Sequence, residues 1–159
     1  MSADVRKPQL SVVGAGNASK EVYEAAREVG RRIAQRGGVV VCGGLGGVME
    51  AACRGAAEAQ GSSIAIVPQA DIGAANRWAT SVVATGLGHA RNVLVVQSGQ
   101  AVIALPGEAG TLSEVALALK TGRPVIAVNA WGEVEGVEVC ATPEEAVALA
   151  FTRMEQAGQ

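Results

Sequence analysis

A chain of 159 residues, 49% of them apolar, has the length of one domain that buries most of its apolar surface. Its formal charge of −2 includes no basic block, which argues against nonspecific nucleic-acid binding as its main role. No apolar run reaches the roughly 18 residues of a membrane span, and three cysteines without C-x-x-C spacing lead to the expectation of a reducing cytoplasm.

The first nine residues, Met1 to Gln9, are polar and contain Pro8. They lack the apolar core of a signal peptide and read as a tail ahead of one domain over 10–157. Leu10 to Val13 is a short apolar strand, followed by Gly14-Ala15-Gly16-Asn17-Ala18-Ser19. Ser19 caps a helix whose face is Val22, Ala25, Ala26, Val29 and Ile33, and Gly37-Gly38 closes it. Val39 to Cys42 is continuous and apolar, as a strand covered on both faces should be. After Gly43-Gly44-Leu45-Gly46-Gly47 a helix runs from about Val48 to Gln60 with a small-residue face. Ser63 to Val67 is the third strand, Gln69 to Ala79 a polar loop, and Ser81 to Ala84 a short strand. If that strand and Ala101 to Leu105 are parallel neighbours, their link is a crossover, which favours a helix over Ala90 to Gln97. Pro106-Gly107 stops the Ala101 strand, and Thr111 opens a helix with an apolar stripe of Leu112, Val115, Ala116 and Leu119. Gly122 and Pro124 end it. Strands follow at Val125 to Val128 and Val137 to Cys140, and Thr142-Pro143-Glu144-Glu145 starts a terminal helix. Strands alternating with helices predict a doubly wound, Rossmann-like α/β sheet of six or seven parallel strands, order about 3-2-1-4-5-6, with helices on both faces.

Glycine accounts for 21 residues, nearly twice the usual ~7%, and three glycine turns are expected at one edge of this sheet: Gly14 to Ser19, Gly43 to Gly47 and Gly107 to Thr111. Singly, each is ordinary turn chemistry. Together, feeding helix N-termini, they offer main-chain N–H groups to a phosphate or carboxylate. A dinucleotide site is disfavoured, because position 19 is serine and Cys42-Gly43 stands where a ribose-binding acid belongs. Thr111-Leu112-Ser113-Glu114 reads either as a capping box or as a phosphate ligand followed by a ribose-binding or acid–base carboxylate. Arg91, in the first turn of a predicted helix, is either solvated or paired with an anion, a ligand phosphate or a carboxylate such as Glu108. His89 has no companion at metal-ligand spacing, so no metal site is assigned. Cys42 reads as a small buried residue unless it faces the cleft. Arg54 and Arg77 are rim charges at most.

Gly43-Gly44-Leu45-Gly46-Gly47-Val48-Met49-Glu50-Ala51, Thr85-Gly86-Leu87-Gly88-His89-Ala90-Arg91-Asn92 and Pro106-Gly107-Glu108-Ala109-Gly110-Thr111-Leu112-Ser113-Glu114 resemble the LOG-like, Rossmann-type nucleotide-binding proteins, long mislabelled as lysine decarboxylases. The resemblance runs from about Leu10 to Ala150. One branch of that family holds cytokinin-activating phosphoribohydrolases, which cleave a nucleoside 5′-monophosphate to free base and ribose 5-phosphate. Another holds short bacterial proteins similar to the molybdenum cofactor carrier protein of algae, which bind the pterin cofactor without turning it over. In the hydrolases, residues corresponding to Arg91 and Glu114 are implicated in catalysis, and the P-G-G-x-G-T turn holds phosphate. Here Asn92 stands where the hydrolases have lysine, and Glu108 replaces the second glycine of the turn. The Ala-Arg-Asn form looks more like the carrier branch.

The resemblance therefore implies a binding protein for a nucleotide or molybdopterin-type cofactor, with no further cofactor required. The glycine turns and the resemblance together give the expected ligand set: Gly14, Gly16, Gly43, Gly44, Gly46, Gly47, Arg91, Asn92, Gly107, Glu108, Gly110, Thr111 and Glu114. The alternative is a phosphoribohydrolase using Arg91 and Glu114, and lysine decarboxylation is not expected. The resemblance implies a homodimer or higher homo-oligomer; composition and charge add the expectation of a cytoplasmic protein with neither nucleic acid nor membrane as partner.

Overall fold

The uninterrupted valine, isoleucine and alanine runs become strands covered on both sides, as parallel pairing between two helical layers demands. The computed structural model describes residues 4–158, so residues 1–3 of the expected tail lie outside it. The strands are β1 (Gln9–Val13), β2 (Val39–Cys42), β3 (Ser62–Val67), β4 (Ser81–Ala84), β5 (Ala101–Ala104), β6 (Val125–Val128) and β7 (Val137–Cys140). The helices are α1 (Lys20–Gln35), α2 (Val48–Glu58), α3 (Asn92–Ser98), α4 (Ala109–Lys120) and α5 (Pro143–Ala157). Single 3-10 turns occupy Ile72–Ala74 and Gly88–Arg91. All seven strands are parallel, in the order β4-β3-β2-β1-β5-β6-β7.

Without the edge strand β4, the other six run in the expected 3-2-1-4-5-6 order. The pairing of Ser81–Ala84 with Ala101–Leu105 does not occur, because β4 pairs with β3. The chain crosses back beneath the sheet, and α3 packs on β1 and β2 on the way to β5. A parallel return to a more distant strand needs a crossover helix even more than a return to a neighbour does.

Side chains alternate along each strand, which divides the core in two. Leu10, Val12, Val40, Ile103 and Ile126 meet α1, α2 and α5 on one face. Val13, Val41, Val102, Ala104 and Ala127 meet α3 and α4 on the other. Ser19 and Thr142 cap α1 and α5, accepting hydrogen bonds from Val22 N and Glu145 N. Helix α2 is buried almost all round, because glycines let α1 press against it. A Cβ at Gly30 would overlap the Ala52 carbonyl, and one at Gly55 the Arg27 carbonyl.

Helix α4 departs from expectation. It starts at Ala109 with Glu108 as N-cap, rather than at Thr111. Its buried residues are Thr111, Val115 and Ala118, while Leu112 and Ala116 face outward. Both sides of this helix are apolar, so periodicity alone has two solutions. Among the described residues, no helix is long and apolar enough to cross a membrane.

Candidate functional site

The loop after β1 ties the carboxyl edge of the sheet together. The Ala15 N–H donates to the Pro106 carbonyl at 3.0 Å, and the Ala15 carbonyl accepts from Val48 N at 2.9 Å. One residue thereby links the β5–α4 turn to the start of α2. The glycines make this approach possible. A Cβ at Gly14 would lie 2.6 Å from Val48 Cγ2, and one at Gly107 would strike the Thr111 hydroxyl and sit 3.0 Å from Ala15 N. Gly44 and Gly47 take φ of +81° and +62°, the left-handed region that glycine enters at no steric cost.

A cleft of about 300 Å³ opens above this junction. Of the residues anticipated from sequence, Gly14, Gly16, Arg91, Asn92, Glu108, Gly110, Thr111 and Glu114 line it. Gly43, Gly44, Gly46, Gly47 and Gly107 are not among its lining residues. They lie behind or beside it, and the protein's own atoms account for them: Cβ atoms at Gly43, Gly44 and Gly46 would lie 2.8, 2.6 and 3.3 Å from Arg91 Nη2, Val67 Cγ1 and the Gly16 carbonyl. Ala15, Asn17, Met49 and His89 also line the cleft. Only the neighbouring motifs signalled them, because nothing in the chemistry of an alanine or a methionine marks a ligand. Arg54 and Arg77 are elsewhere, their guanidinium carbons 5.3 and 4.5 Å from the Trp78 ring centroid.

The cleft is set between a helix start and a buried cation. In α4 the first intrahelical donor is Leu112 N, bonded to the Glu108 carbonyl at 2.9 Å, so the N–H groups of Ala109, Gly110 and Thr111 have no acceptor within the helix. No side chain caps this end, and the capping-box explanation of Thr111 and Glu114 does not apply. A helix starting at Ala109 puts Thr111 inside its first turn. Arg91 is only 7% exposed. Its Nη1 donates to Asn92 Oδ1 and its Nη2 to the Gly43 carbonyl at 3.4 Å, while its buried Nε has no partner.

Both Glu108 and Glu114 line the cleft, and the charge that acts on Arg91 is that of Glu114. Burial pulls the Arg91 guanidinium below its ordinary value, and the Glu114 charge pulls it back. Burial pushes the Glu114 carboxyl up to about 7, with Arg91 opposing. Glu108 stays exposed at the N-cap, where the helix dipole favours a negative charge. Cys42 does not face the cleft. It is fully buried with its sulfur 3.4 Å from Cys53 Sγ, and that hydrogen bond, with burial, raises its thiol pKa. Among the described residues, no cluster of three or more His, Cys, Asp or Glu side chains could hold a metal ion.

Residues 7–157 match the SLOG cluster4 family. The molybdenum cofactor binding protein of Rippkaea orientalis superposes with a TM-score of 0.91 at 36% identity, over 95% of this chain and 99% of the other. The molybdenum cofactor carrier protein of Chlamydomonas reinhardtii does so with a TM-score of 0.84 at 31% identity, again over 95% and 99%. A cytokinin riboside 5′-monophosphate phosphoribohydrolase of Mycobacterium tuberculosis is 32% identical over 126 residues, covering 74% of this chain and 67% of the relative.

The raised carboxyl pKa has a consequence for stability. Between the ordinary carboxylate range and about 7, the folded chain holds the Glu114 proton more tightly than the unfolded chain does. Stability therefore falls as pH rises through that window, and stays lowered above it. Glu114→Gln removes the penalty. Chemical denaturation should find the variant more stable than wild type by about 1–3 kcal/mol at pH 8, with the difference closing by pH 4. A gap independent of pH would show that Glu114 does not titrate as described.

Proposed function

The chain belongs to the SLOG cluster4 family, and from that premise we propose that it binds a small phosphorylated ligand, of the nucleotide or molybdopterin type, as a carrier. The observation that carries this reading is Arg91, a buried guanidinium with an unpaired Nε, in the same cleft as Gly110 and Thr111, whose N–H groups open α4 without an acceptor. A buried donor without an acceptor is costly, and a cation sharing a cleft with a helix N-terminus meets the positive end of its dipole. An oxyanion relieves both at once. Gly110 supports the same reading from the opposite wall. A Cβ there would meet no atom within 4 Å, so its glycine keeps open space that the fold itself does not need. The names of the Rippkaea and Chlamydomonas proteins favour molybdenum cofactor as the ligand.

The residues present suit the phosphate of such a cofactor. Thr111, Gly110 and Arg91 would hold it, Asn92 would orient the guanidinium, and Gly14 and Gly16 would let the heterocycle lie close to main chain. The cofactor would be cargo, with its chemistry expressed elsewhere. A cytoplasmic site suits the three free thiols. A homodimer is part of the proposal, supported by exposed Leu94 and Leu112 on α3 and α4. Leu112→Glu should sediment as a monomer if that face joins two copies.

A thermal-shift series with AMP and molybdenum cofactor tests the binding reading. A ligand at 100 times its Kd stabilises the fold by about 2.7 kcal/mol. Arg91→Met should lose at least tenfold in affinity, and because it strips Glu114 of the cation that opposes its raised pKa and Asn92 and the Gly43 carbonyl of their donor, it should also lower Tm. Gly110→Ala should fold normally and bind more weakly. A full shift in both variants would place the ligand elsewhere.

A second reading is favoured by one feature, the half-buried Glu114 carboxyl with a pKa of about 7, whose charge acts on Arg91. A group poised near neutrality suits proton transfer, and the mycobacterial relative is named a phosphoribohydrolase. In that case the N-glycosidic bond of AMP is hydrolysed, water adding its hydroxyl to the ribose and its proton to the base to give ribose 5-phosphate and adenine, and Glu114→Gln abolishes base release. Under the carrier reading no base appears, and Glu114→Gln binds phosphate more tightly because a like charge has gone.

A further inference from the structure

The β5–α4 turn leaves the sheet through a slipped rung. Leu105 N donates to the Val13 carbonyl at 2.9 Å. A regular parallel ladder would next bring Ala15 N–H to the Leu105 carbonyl. Instead, Ala15 N–H bonds to the Pro106 carbonyl, one residue further along. Leu105 is fully buried, so its displaced carbonyl needs another donor. Trp131 supplies it, its indole Nε1–H reaching the Leu105 carbonyl at 2.9 Å.

Trp131 reaches that position from a tightly folded loop between β6 and β7. Its own φ is +61°, a conformation that bulky L-residues rarely adopt and that persists only where surrounding contacts impose it. Asn129, at φ +52°, anchors the base of the loop. Its N–H donates to the Cys140 carbonyl at 3.0 Å and its Nδ2 to the Ala141 carbonyl at 2.8 Å. The ring packs against the core under α3 and α4.

We propose that Trp131 is a positioning residue for the anion site: its indole holds the Leu105 carbonyl off the β1 ladder, keeps the rung slipped, and so sets where the first turn of α4 presents its free N–H groups. This rests on the phosphate-site reading above. Of the three main-chain hydrogen bonds at Leu105 and Pro106, this one alone depends on a side chain, so substitution can remove it without breaking the sheet.

The experiment is NMR titration with inorganic phosphate of the full chain, wild type against Trp131→Phe, which keeps an aromatic ring and loses the N–H. In wild type, phosphate should shift the amides of Ala109, Gly110 and Thr111. In Trp131→Phe, Ala15 N–H should turn to the Leu105 carbonyl, the ligand-free amide signals of Ala15 and Gly110 should move, and phosphate affinity should fall at least fivefold. Leu119→Ala separates this from simple loosening. Leu119 packs under the same loop, with its Cδ2 3.1 Å from where a Gly136 Cβ would sit, and the variant should lower Tm without changing phosphate affinity or the Ala15 signal. If wild type shows no phosphate shift at the three α4 amides, the site reading fails and the proposal with it. If wild type responds there and Trp131→Phe binds as tightly with an unmoved Ala15 signal, the proposal alone is overturned. Equal affinity loss in Leu119→Ala also overturns it, since general loosening would then suffice.

Discussion

A guanidinium buried in the protein with one nitrogen unpaired is the constraint around which the carboxyl edge of the sheet is arranged. Arg91 rests so closely on Gly43 that a Cβ there would lie 2.8 Å from its Nη2, so a side chain just after β2 would push the guanidinium aside. Asn92 and the Gly43 carbonyl occupy its two terminal nitrogens. The Nε is left over, and burial lowers the cation's pKa without discharging it, since an arginine stays protonated in a protein. A fold that keeps such a group retains a standing demand for an anion. The free N–H groups of α4 carry the same demand from the other side.

The glycines divide into two populations once the contacts are known. Gly14, Gly30, Gly44, Gly55 and Gly107 are required by neighbouring atoms of the protein, which occupy the space that a Cβ would take. Gly110 is different: like Gly37, Gly88 and Gly122 it has nothing near its absent side chain, but those three take positive φ, whereas Gly110 does not and lines the cleft. The first group brings β1, β5, α1 and α2 into close register and builds the walls of the cleft. Gly110 leaves open volume in the cleft. A motif of the P-G-x-x-G-T kind thus combines two physical requirements, close backbone approach at its first glycine and open volume at its second.

Glu114 connects binding with turnover. A carboxyl held near neutrality beside a buried cation can carry its proton when a phosphate arrives, which lowers the repulsion, or can lend the proton to a leaving group. The same geometry would suit a carrier or a hydrolase, and the difference would lie in what the ligand brings to the carboxyl. Glu108, exposed at the helix N-cap, stands apart from that exchange, and the dipole of α4 offsets its charge.

The α/β class, the parallel sheet and the capping of α1 and α5 were legible in the chain itself, because strand burial and helix caps are written in local residue order. The gathering of glycine turns at one edge of the sheet was legible for a related reason: glycine turns between strand and helix reveal their geometry through residue type. The start and the buried face of α4 were not, since Leu112 and Ala116 continue the apolar pattern outward and periodicity cannot tell which side meets the sheet. Nor could local order reveal that the charge acting on Arg91 is that of Glu114 rather than Glu108, that Met49 and Asn17 line the cleft, or that Trp131 holds the Leu105 carbonyl. Each of those depends on which strands become neighbours, and β4 took the outer edge instead of a place beside β5. Residue order determined the elements and the chemistry available at their ends; tertiary packing decided which of those ends meet, because distances between residues far apart in the chain are set by the sheet and not by the sequence between them.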